Sequence, residues 1–252
     1  MGACENMRIL FFDIETSGVD FEKDRIIELG ASLWDWIPEP RPLVNYEKLI
    51  KIDSKLEPVI TELTGITDEI LEEFGGIPPF VFQDFIHFVE RHSVDYFFTH
   101  NGKAFDMPFL FEEFKRANLN YKVIEKITVL DSRFDLPFKK DPASRKLAHL
   151  AAEHNICPQK FSHRALADAL TTARLVACYD IDKIIEYSAI PFIAIRAVVS
   201  YEQRQLAKDA KFSWEKVMDK TYPKLWVKLI KADQWEVEVE KWKPQFQIVK
   251  LV

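Results

Sequence analysis

Apolar and polar positions along the chain predict strands first, and then strands that alternate with helices. Two apolar runs, residues 7–13 and 26–34, predict buried strands, and the looser alternation of residues 43–52 predicts a third. The turn between the first two carries Gly18 and a charged patch. The three segments together predict an antiparallel meander at the start of the fold.

Helical periodicity follows the meander. Residues 57–64 precede Gly65, a residue typical of helix C-terminal ends, and Thr67 can cap the next short helix. Longer helices are predicted at residues 79–91, 105–117, 144–154 and 165–179, with short strands at 94–99 and 127–131. Strands alternating with helices favour an α/β fold, a mixed sheet flanked by helices.

The pattern changes near residue 181. Strands are predicted at residues 190–199, 225–231 and 245–251, with a helix at 201–210. Four of the six tryptophans lie in this part of the chain, an aromatic content too high for a disordered tail. We therefore divide the chain into a domain at residues 1–180 and a small α+β appendage at 181–252.

Composition narrows the class of protein. The 252 residues are 48% hydrophobic and 29% charged, which suits a packed soluble core. No apolar run approaches the ~20 residues that span a bilayer. We expect no signal peptide, because the first residues lack a basic segment followed by an apolar stretch. The cysteines, Cys4, Cys157 and Cys178, are widely spaced, which argues against disulfides or structural zinc. We expect no membrane association and a cytoplasmic or nucleoid-associated protein.

The net charge of −6 is unevenly distributed. Residues 1–180 hold 21 basic and 30 acidic side chains, whereas residues 181–252 hold 13 and 10. Net acidity ordinarily counts against nucleic-acid binding. A metal site would account for part of the acidity, and bound cations would reverse its local sign.

Candidate chemistry lies in acids that sit within or beside apolar runs. Asp13 and Glu15 are two apart in a strand, so both carboxylates point to the same face. Asp106 and Asp168 lie in predicted helices, and His163 precedes the second of them. Unpaired carboxylates are costly to bury, but they suit Mg²⁺ or Mn²⁺ as ligands. A neutral histidine beside such a site could act as a general base.

Each of these residues has a simpler explanation when taken alone. The DxE pattern is usually a solvated strand end. Asp106 could be an ordinary acid in the first turn of a helix. Asp168 could form a salt bridge with Arg164 or Arg174.

Taken together, three segments resemble the motifs of the DEDDh superfamily of 3′→5′ exonucleases. They are FDIETSG, the segment from Asn101 to Leu110, and HRALADA. The five-position spacing from His163 to Asp168 is similar to that of the final motif in the histidine branch. It differs from the YxxxD pattern of the tyrosine branch. The resemblance covers about residues 7–180, is strongest to exonuclease X and to epsilon-type proofreading subunits, and implies an RNase H-like fold.

The resemblance also implies a mechanism. Two divalent ions, Mg²⁺ or Mn²⁺, would be held by Asp13, Glu15, Asp106 and Asp168, with Asp13 as the shared ligand. Glu15 and Asp168 would complete the site of the water-activating ion, and Asp106 would serve the second ion. His163 would take the proton of the attacking water, and the products would be nucleoside 5′-monophosphates.

Substrate contacts are implied by two segments. The residues concerned are Thr16, Ser17, Gly18, Val19, Asn101 and Phe105. Thr16 and Ser17 could equally serve the turn, and Phe105 with Phe109, at helical spacing, is more typical of a core. Three residues separate Asn101 from Phe105 where many members of this branch have two, so the contact from Asn101 has the weakest support.

The sequence thus predicts an active exonuclease whose partner is nucleic acid with a free 3′ end. DNA is preferred over RNA, because a domain with a C-terminal appendage resembles exonuclease X and suggests proofreading or DNA repair. The alternatives are an RNA-trimming exoribonuclease of the same family and a catalytically weak nucleic-acid-binding scaffold. The sequence leaves open whether the chain forms a homodimer or joins a polymerase or repair complex.

The appendage has two interpretations. Its tryptophans, interleaved with lysines, could form a stacking platform with phosphate-binding cations. They could instead fill a small core while the lysines face solvent. The second interpretation is favoured, because an excess of three positive charges over residues 181–252 is modest.

Overall fold

The computed structural model describes residues 7–157, 163–216 and 224–251. The chain forms two compact units, Met1–Tyr187 and Ser188–Val252. Among the described residues, no helix has the length and apolar character needed to cross a membrane. Within the same residues, Cys157 and Cys178 are free and exposed.

The first unit is built on a five-stranded mixed sheet in the order β3-β2-β1-β4-β5. Its strands are β1 (Arg8–Thr16), β2 (Ile26–Asp35), β3 (Arg41–Leu49), β4 (Tyr96–Thr99) and β5 (Thr128–Asp131). The first three pair antiparallel, which confirms the predicted meander, whereas β4 and β5 run parallel to β1. The carboxyl ends of β1, β4 and β5 therefore meet at one edge of the sheet.

Helices cover both faces of this sheet, as an α/β fold requires. One face carries α1 (Pro58–Thr64), α2 (Asp68–Phe74), α3 (Pro78–His92), α4 (Asp106–Arg116) and α5 (Lys122–Glu125); the other carries α6 (Leu147–Glu153), α7 (Ala165–Val176) and α8 (Ile181–Ser188). The period of two along β1 sends Leu10 and Phe12 to the first core and Ile9 and Phe11 to the second. All four side chains are almost fully buried.

Local signals place the early helices as predicted. Gly65 ends α1 with a φ of 72°, in the left-handed region that glycine adopts without strain. The Thr67 hydroxyl accepts a hydrogen bond from the Ile70 amide at 3.2 Å and so caps α2. The pattern of α3 buries Phe82 and Phe85 against the sheet.

The division between the units lies beyond the predicted domain boundary. Helix α8 follows residue 180, but its Ile181 and Ile184 belong to the second core of the first unit. The C-terminal unit begins at Ser188. Residues 181–187 are therefore better grouped with the first unit than with the appendage.

The C-terminal unit is a four-stranded antiparallel sheet in the order β7-β8-β6-β9, packed with short helices. Its elements are β6 (Phe192–Val198), α9 (Arg204–Asp209), β7 (Ser213–Lys216), β8 (Lys224–Lys231), a 3₁₀ turn (Ala232–Gln234), α10 (Trp235–Trp242) and β9 (Gln247–Lys250). The predicted strands at β6, β8 and β9 and the helix at α9 are confirmed. The sequence analysis missed α10 and β7.

Most tryptophans of this unit serve its core. Trp226, Trp235 and Trp242 pack against the buried cluster, and Trp242 stacks on Phe246 at 5.6 Å between ring centroids. Trp214 is 52% exposed. Core packing therefore accounts for three of the four aromatic residues of the suggested platform. Lys220, one of the lysines interleaved with these tryptophans in the sequence, lies outside the described residues.

Candidate active site

Strand β1 delivers two carboxylates to the face covered by α7. Asp13 and Glu15 continue the alternation of the buried Ile9 and Phe11, so they point to the same side of the sheet. In the register with β2, Asp13 lies opposite Gly30 and Glu15 opposite Glu28. Both acids are partly exposed at the carboxyl end of the strand.

Helix α7 brings the third carboxylate. Single oxygens of Asp13, Glu15 and Asp168 all lie within 4.8 Å of one another, close enough to share one cation. The helix approaches β2 this closely because Gly30 has no side chain: a Cβ there would overlap the backbone nitrogen of Leu166.

Replacing Gly30 with alanine is expected to destabilise the protein and to move α7, with Asp168, away from Asp13 and Glu15. The added carbon meets helix backbone, which cannot move aside as a flexible side chain would. Overpacking of this kind costs about 1–3 kcal/mol. Urea unfolding followed by circular dichroism measures this loss, and an unchanged midpoint would show that α7 does not depend on the missing side chain.

Asp106 begins α4, directly after the loop that leaves β4. Its side chain is buried, and among the described residues its Oδ1 atom has no hydrogen-bond partner. Asp106 lies outside the group of three oxygens within 4.8 Å. It is nevertheless the strongest like-charge neighbour of Asp13. An orphaned buried oxygen beside a carboxylate cluster is a position that a cation would stabilise.

Burial and neighbouring negative charges make all four acids hard to ionise. Burial raises the pKa of Asp13 well above its usual range, and the charges of Asp106 and Glu15 raise it further. Burial, followed by the charge of Asp168, raises the pKa of Glu15 to about 8. Burial raises the pKa of Asp106 to about 7 and also raises that of Asp168. Carboxylates that repel one another in a poorly hydrated setting suit a hard divalent cation as ligands.

These shifts predict a pH dependence of the metal-free protein. A raised carboxyl pKa means that the folded state binds more protons than the unfolded chain, so stability falls as the pH rises from about 4 toward 8. We expect the melting temperature in EDTA to fall between pH 5 and pH 8, and added Mg²⁺ to raise it more at pH 8 than at pH 5.

The Asp13→Asn variant is the control for this prediction, because it removes one repelling charge and keeps the shape. Its melting temperature in EDTA should fall less steeply with pH than that of the wild type. Identical slopes in the two proteins would show that the cluster does not govern the pH dependence.

His163 lies just before α7 and is exposed. Its φ of 68° places it in the left-handed region, and its backbone N–H donates to Asp168 Oδ2 at 3.3 Å. The backbone therefore ties His163 to one of the cluster acids while its ring remains accessible. Residues 158–162, which precede it, lie outside the described residues.

Glu28 is a site residue that the sequence analysis missed. It is fully buried next to Glu15, accepts hydrogen bonds from the Arg164 guanidinium at 2.5–3.1 Å, and accepts another from the Ala165 amide at 2.9 Å. These bonds fix the first turn of α7 on the sheet, and with it Asp168. Arg164 is thus ion-paired with Glu28, and more distantly with Glu47 at 3.6 Å, and not with Asp168.

The segment after the DxE motif forms a tight turn. The Thr16 hydroxyl donates to the Gly18 carbonyl at 2.5 Å, and Ser17 Oγ accepts from the Arg25 amide at 3.0 Å. Both side chains therefore serve the turn, as one of the two interpretations held. At Gly18 a Cβ would overlap the carboxylate of Asp24. Val19 is 83% exposed and free to contact a ligand.

The segment from Asn101 to Leu110 is held in place by Asp131, the last residue of β5. Asp131 is fully buried and accepts hydrogen bonds from the amides of Asn101, Lys103 and Arg133 at 2.8–3.3 Å. The longer spacing between Asn101 and Phe105 is thus held in one conformation, with Asn101 at a φ of 69°.

Asn101 and Phe105, the two substrate contacts implied in this segment, both contact other residues of the protein. Asn101 Oδ1 accepts from Arg133 at 3.0 Å. Phe105 packs against the first core, with its ring centroid 4.9 Å from that of the fully buried Phe109. Phe109 is therefore a core residue, as its helical spacing suggested.

Comparison with known proteins places the first unit in a family. The exonuclease family model (RNase T) matches residues 10–176. The 3′-5′ exonuclease DinG of Staphylococcus saprophyticus is 30% identical over 164 residues, and that of Staphylococcus aureus strain COL is 29% identical. Each alignment covers 65% of this chain but 17% of the relative, so the chain spans about a sixth of their length. A domain of unknown function (DUF8626) matches residues 193–238.

Solved structures support the same fold. Exonuclease I of E. coli, in complex with a dT13 oligonucleotide, aligns with a TM-score of 0.63 and 15% identity, covering 89% of this chain and 63% of that one. The nuclease domain of 3′hExo, a DEDDh family member bound to rAMP, aligns with a TM-score of 0.58 and 19% identity, covering 69% and 92%. The predicted RNase H-like fold is confirmed. The chain therefore belongs to the RNase T exonuclease family, whose model matches most of its first unit.

Proposed function

We propose that this chain is a metal-dependent 3′→5′ exonuclease that removes nucleotides from the 3′ end of nucleic acid. The observation that carries the proposal is the convergence of Asp13, Glu15 and Asp168 within 4.8 Å, with the buried Asp106 beside them. Three separate parts of the chain supply these four acids. Without a cation, the repulsion between their negative charges would only destabilise the folded protein.

The four carboxylates would hold two divalent ions, Mg²⁺ or Mn²⁺. The donor set fits, since all the ligands are oxygens and the Asp106 Oδ1 atom has no described partner. When bound, the ions would acidify the attacking water and neutralise the charge that develops on the departing 3′-oxygen. Asp13 would be the shared ligand, with Glu15 and Asp168 on one side and Asp106 on the other.

His163 would act as the general base. Its exposed ring, tethered through the backbone to Asp168, can take a proton from the attacking water as the new P–O bond forms. The bond from phosphorus to the 3′-oxygen of the preceding nucleotide then breaks, and that oxygen takes a proton from solvent. The products are a nucleoside 5′-monophosphate and a strand shorter by one nucleotide. Val19 and the backbone at Gly18 would contact the terminal nucleotide.

DNA is the proposed substrate. The E. coli exonuclease I that shares this fold was solved with dT13, which supports DNA, whereas 3′hExo was solved with rAMP. The choice of sugar depends on contacts to the 2′-hydroxyl. We expect a 5′-labelled DNA oligonucleotide to be shortened faster than RNA of the same sequence in Mg²⁺ or Mn²⁺, and neither to be cut in EDTA. Faster loss of the RNA would identify an exoribonuclease; binding of both without cleavage would identify a scaffold.

A further inference from the structure

The segment between β5 and α6, residues 133–146, is a concentration of positive charge in an acidic unit. We call it the basic loop. Its five cations are Arg133, Lys139, Lys140, Arg145 and Lys146. The rest of residues 1–180 holds 16 basic and 28 acidic side chains, so the loop stands out against its surroundings.

The two acids of the basic loop offset only part of this charge. Asp135 is fully buried, where it accepts from the Asp131 amide at 2.9 Å and from Lys103 Nζ at 2.6 Å. Asp141 pairs with Arg145 at 3.0 Å. Lys139, Lys140 and Lys146 are exposed. Within the described part of the chain, no carboxylate lies within ion-pair distance of these three lysines.

The basic loop begins beside the carboxylate cluster. It follows β5, whose carboxyl end lies at the same sheet edge as those of β1 and β4. Arg133 donates to Asn101, and Asp131 binds the amides of both residues, so the start of the loop is bonded to the segment that leads to Asp106. The guanidinium of Arg133 also lies 5.4 Å from the centre of the Phe134 ring.

We propose that the basic loop binds the phosphates of the substrate strand on the 5′ side of the scissile bond. This inference rests on the proposed function, because a strand cut at its 3′ end continues only in the 5′ direction. The carboxylate cluster repels a polyanion, so approach of the strand needs a cationic surface nearby. Lysines and arginines that neutralise phosphates release counterions, which makes such binding strongly salt-dependent.

The test compares two matched double variants. Lys139→Ala/Lys140→Ala removes two charges from the basic loop. Lys122→Ala/Lys126→Ala removes two exposed charges that precede β5, at the opposite edge of the sheet. The dissociation constant of a fluorescein-labelled dT16 strand is measured by anisotropy in EDTA over a range of KCl concentrations. Hydrolysis of the p-nitrophenyl ester of thymidine 5′-monophosphate, which has no upstream phosphate, is measured in Mn²⁺.

The loop variant should bind dT16 about 10-fold more weakly, and its plot of log affinity against log salt should be shallower by about 1.4, near 0.7 for each lost phosphate contact. The control variant should match the wild type, and both variants should hydrolyse the ester at the wild-type rate. Equal affinities and salt slopes in the two variants would overturn the inference. A wild type that binds dT16 but cleaves neither substrate would instead refute the proposed function and leave the binding surface standing.

Discussion

Replacing Asp13 with asparagine should reduce nuclease activity by well over ~100-fold, while the protein stays folded. Loss of a group that only orients a metal ligand typically reduces metal affinity or activity about 10–100-fold. Asp13 is placed to be a ligand itself, so its loss should cost more. One of its oxygens lies within 4.8 Å of oxygens of Glu15 and Asp168, and the charge of Asp106 raises its pKa. Asparagine keeps its shape and removes its charge.

The folded state of this variant is checked separately. Because the substitution relieves repulsion among closely spaced carboxylates, its metal-free melting temperature at pH 8 should equal or exceed that of the wild type. Initial rates on a labelled oligonucleotide in Mg²⁺ give the activity. A stable variant that keeps more than a few per cent of the wild-type rate would show that Asp13 is not an essential ligand.

Replacing His163 with alanine should slow hydrolysis by about 10²–10⁴-fold, the usual contribution of a general base. Metal binding should persist, because the bond from position 163 to Asp168 comes from the backbone and not from the ring. The rise in melting temperature on adding Mg²⁺ measures metal binding, and single-turnover cleavage at pH 7 measures the chemical step.

The His163→Asn variant separates chemistry from backbone strain. His163 has a positive φ, which asparagine adopts readily and alanine does not. Both variants should be equally slow if the ring is the base, and added imidazole should restore part of the rate. A fast asparagine variant would show that the alanine variant fails through local strain.

The sequence was sufficient for the main layout of the first unit. Apolar runs and turn residues located the meander, and the i, i+2 spacing placed Asp13 and Glu15 on one face. Two determinants of the site were not visible in it. Glu28 lies inside a buried strand, and its partner Arg164 is 136 positions away. Nothing in the sequence around Gly30 indicates that α7 packs directly on it. Such pairings are properties of the folded chain and not of local pattern.

The C-terminal unit was predicted less completely. Residues 235–240 alternate between tryptophan or valine and glutamate, a strand-like period, yet they lie in α10 (Trp235–Trp242). Two contacts explain the helix: Glu238 pairs with Lys228 at 2.6 Å and accepts from Trp242 Nε1, one turn later, at 2.9 Å. Strand β7 (Ser213–Lys216) has one apolar residue, Trp214, among polar and charged ones, so no apolar run marks it in the sequence. The nucleic-acid-binding role suggested for this unit stays a prediction.

The most direct measurement is the polarity of cleavage. One DNA oligonucleotide is labelled at its 5′ end in one sample and at its 3′ end in another, and each is incubated with the wild type or with Asp13→Asn in Mg²⁺. We expect the 5′-labelled strand to give a ladder of products shortened one nucleotide at a time, and the 3′-labelled strand to release labelled mononucleotide at once. The variant should give neither product. Internal cuts, degradation from the 5′ end, or equal activity in the variant would contradict it.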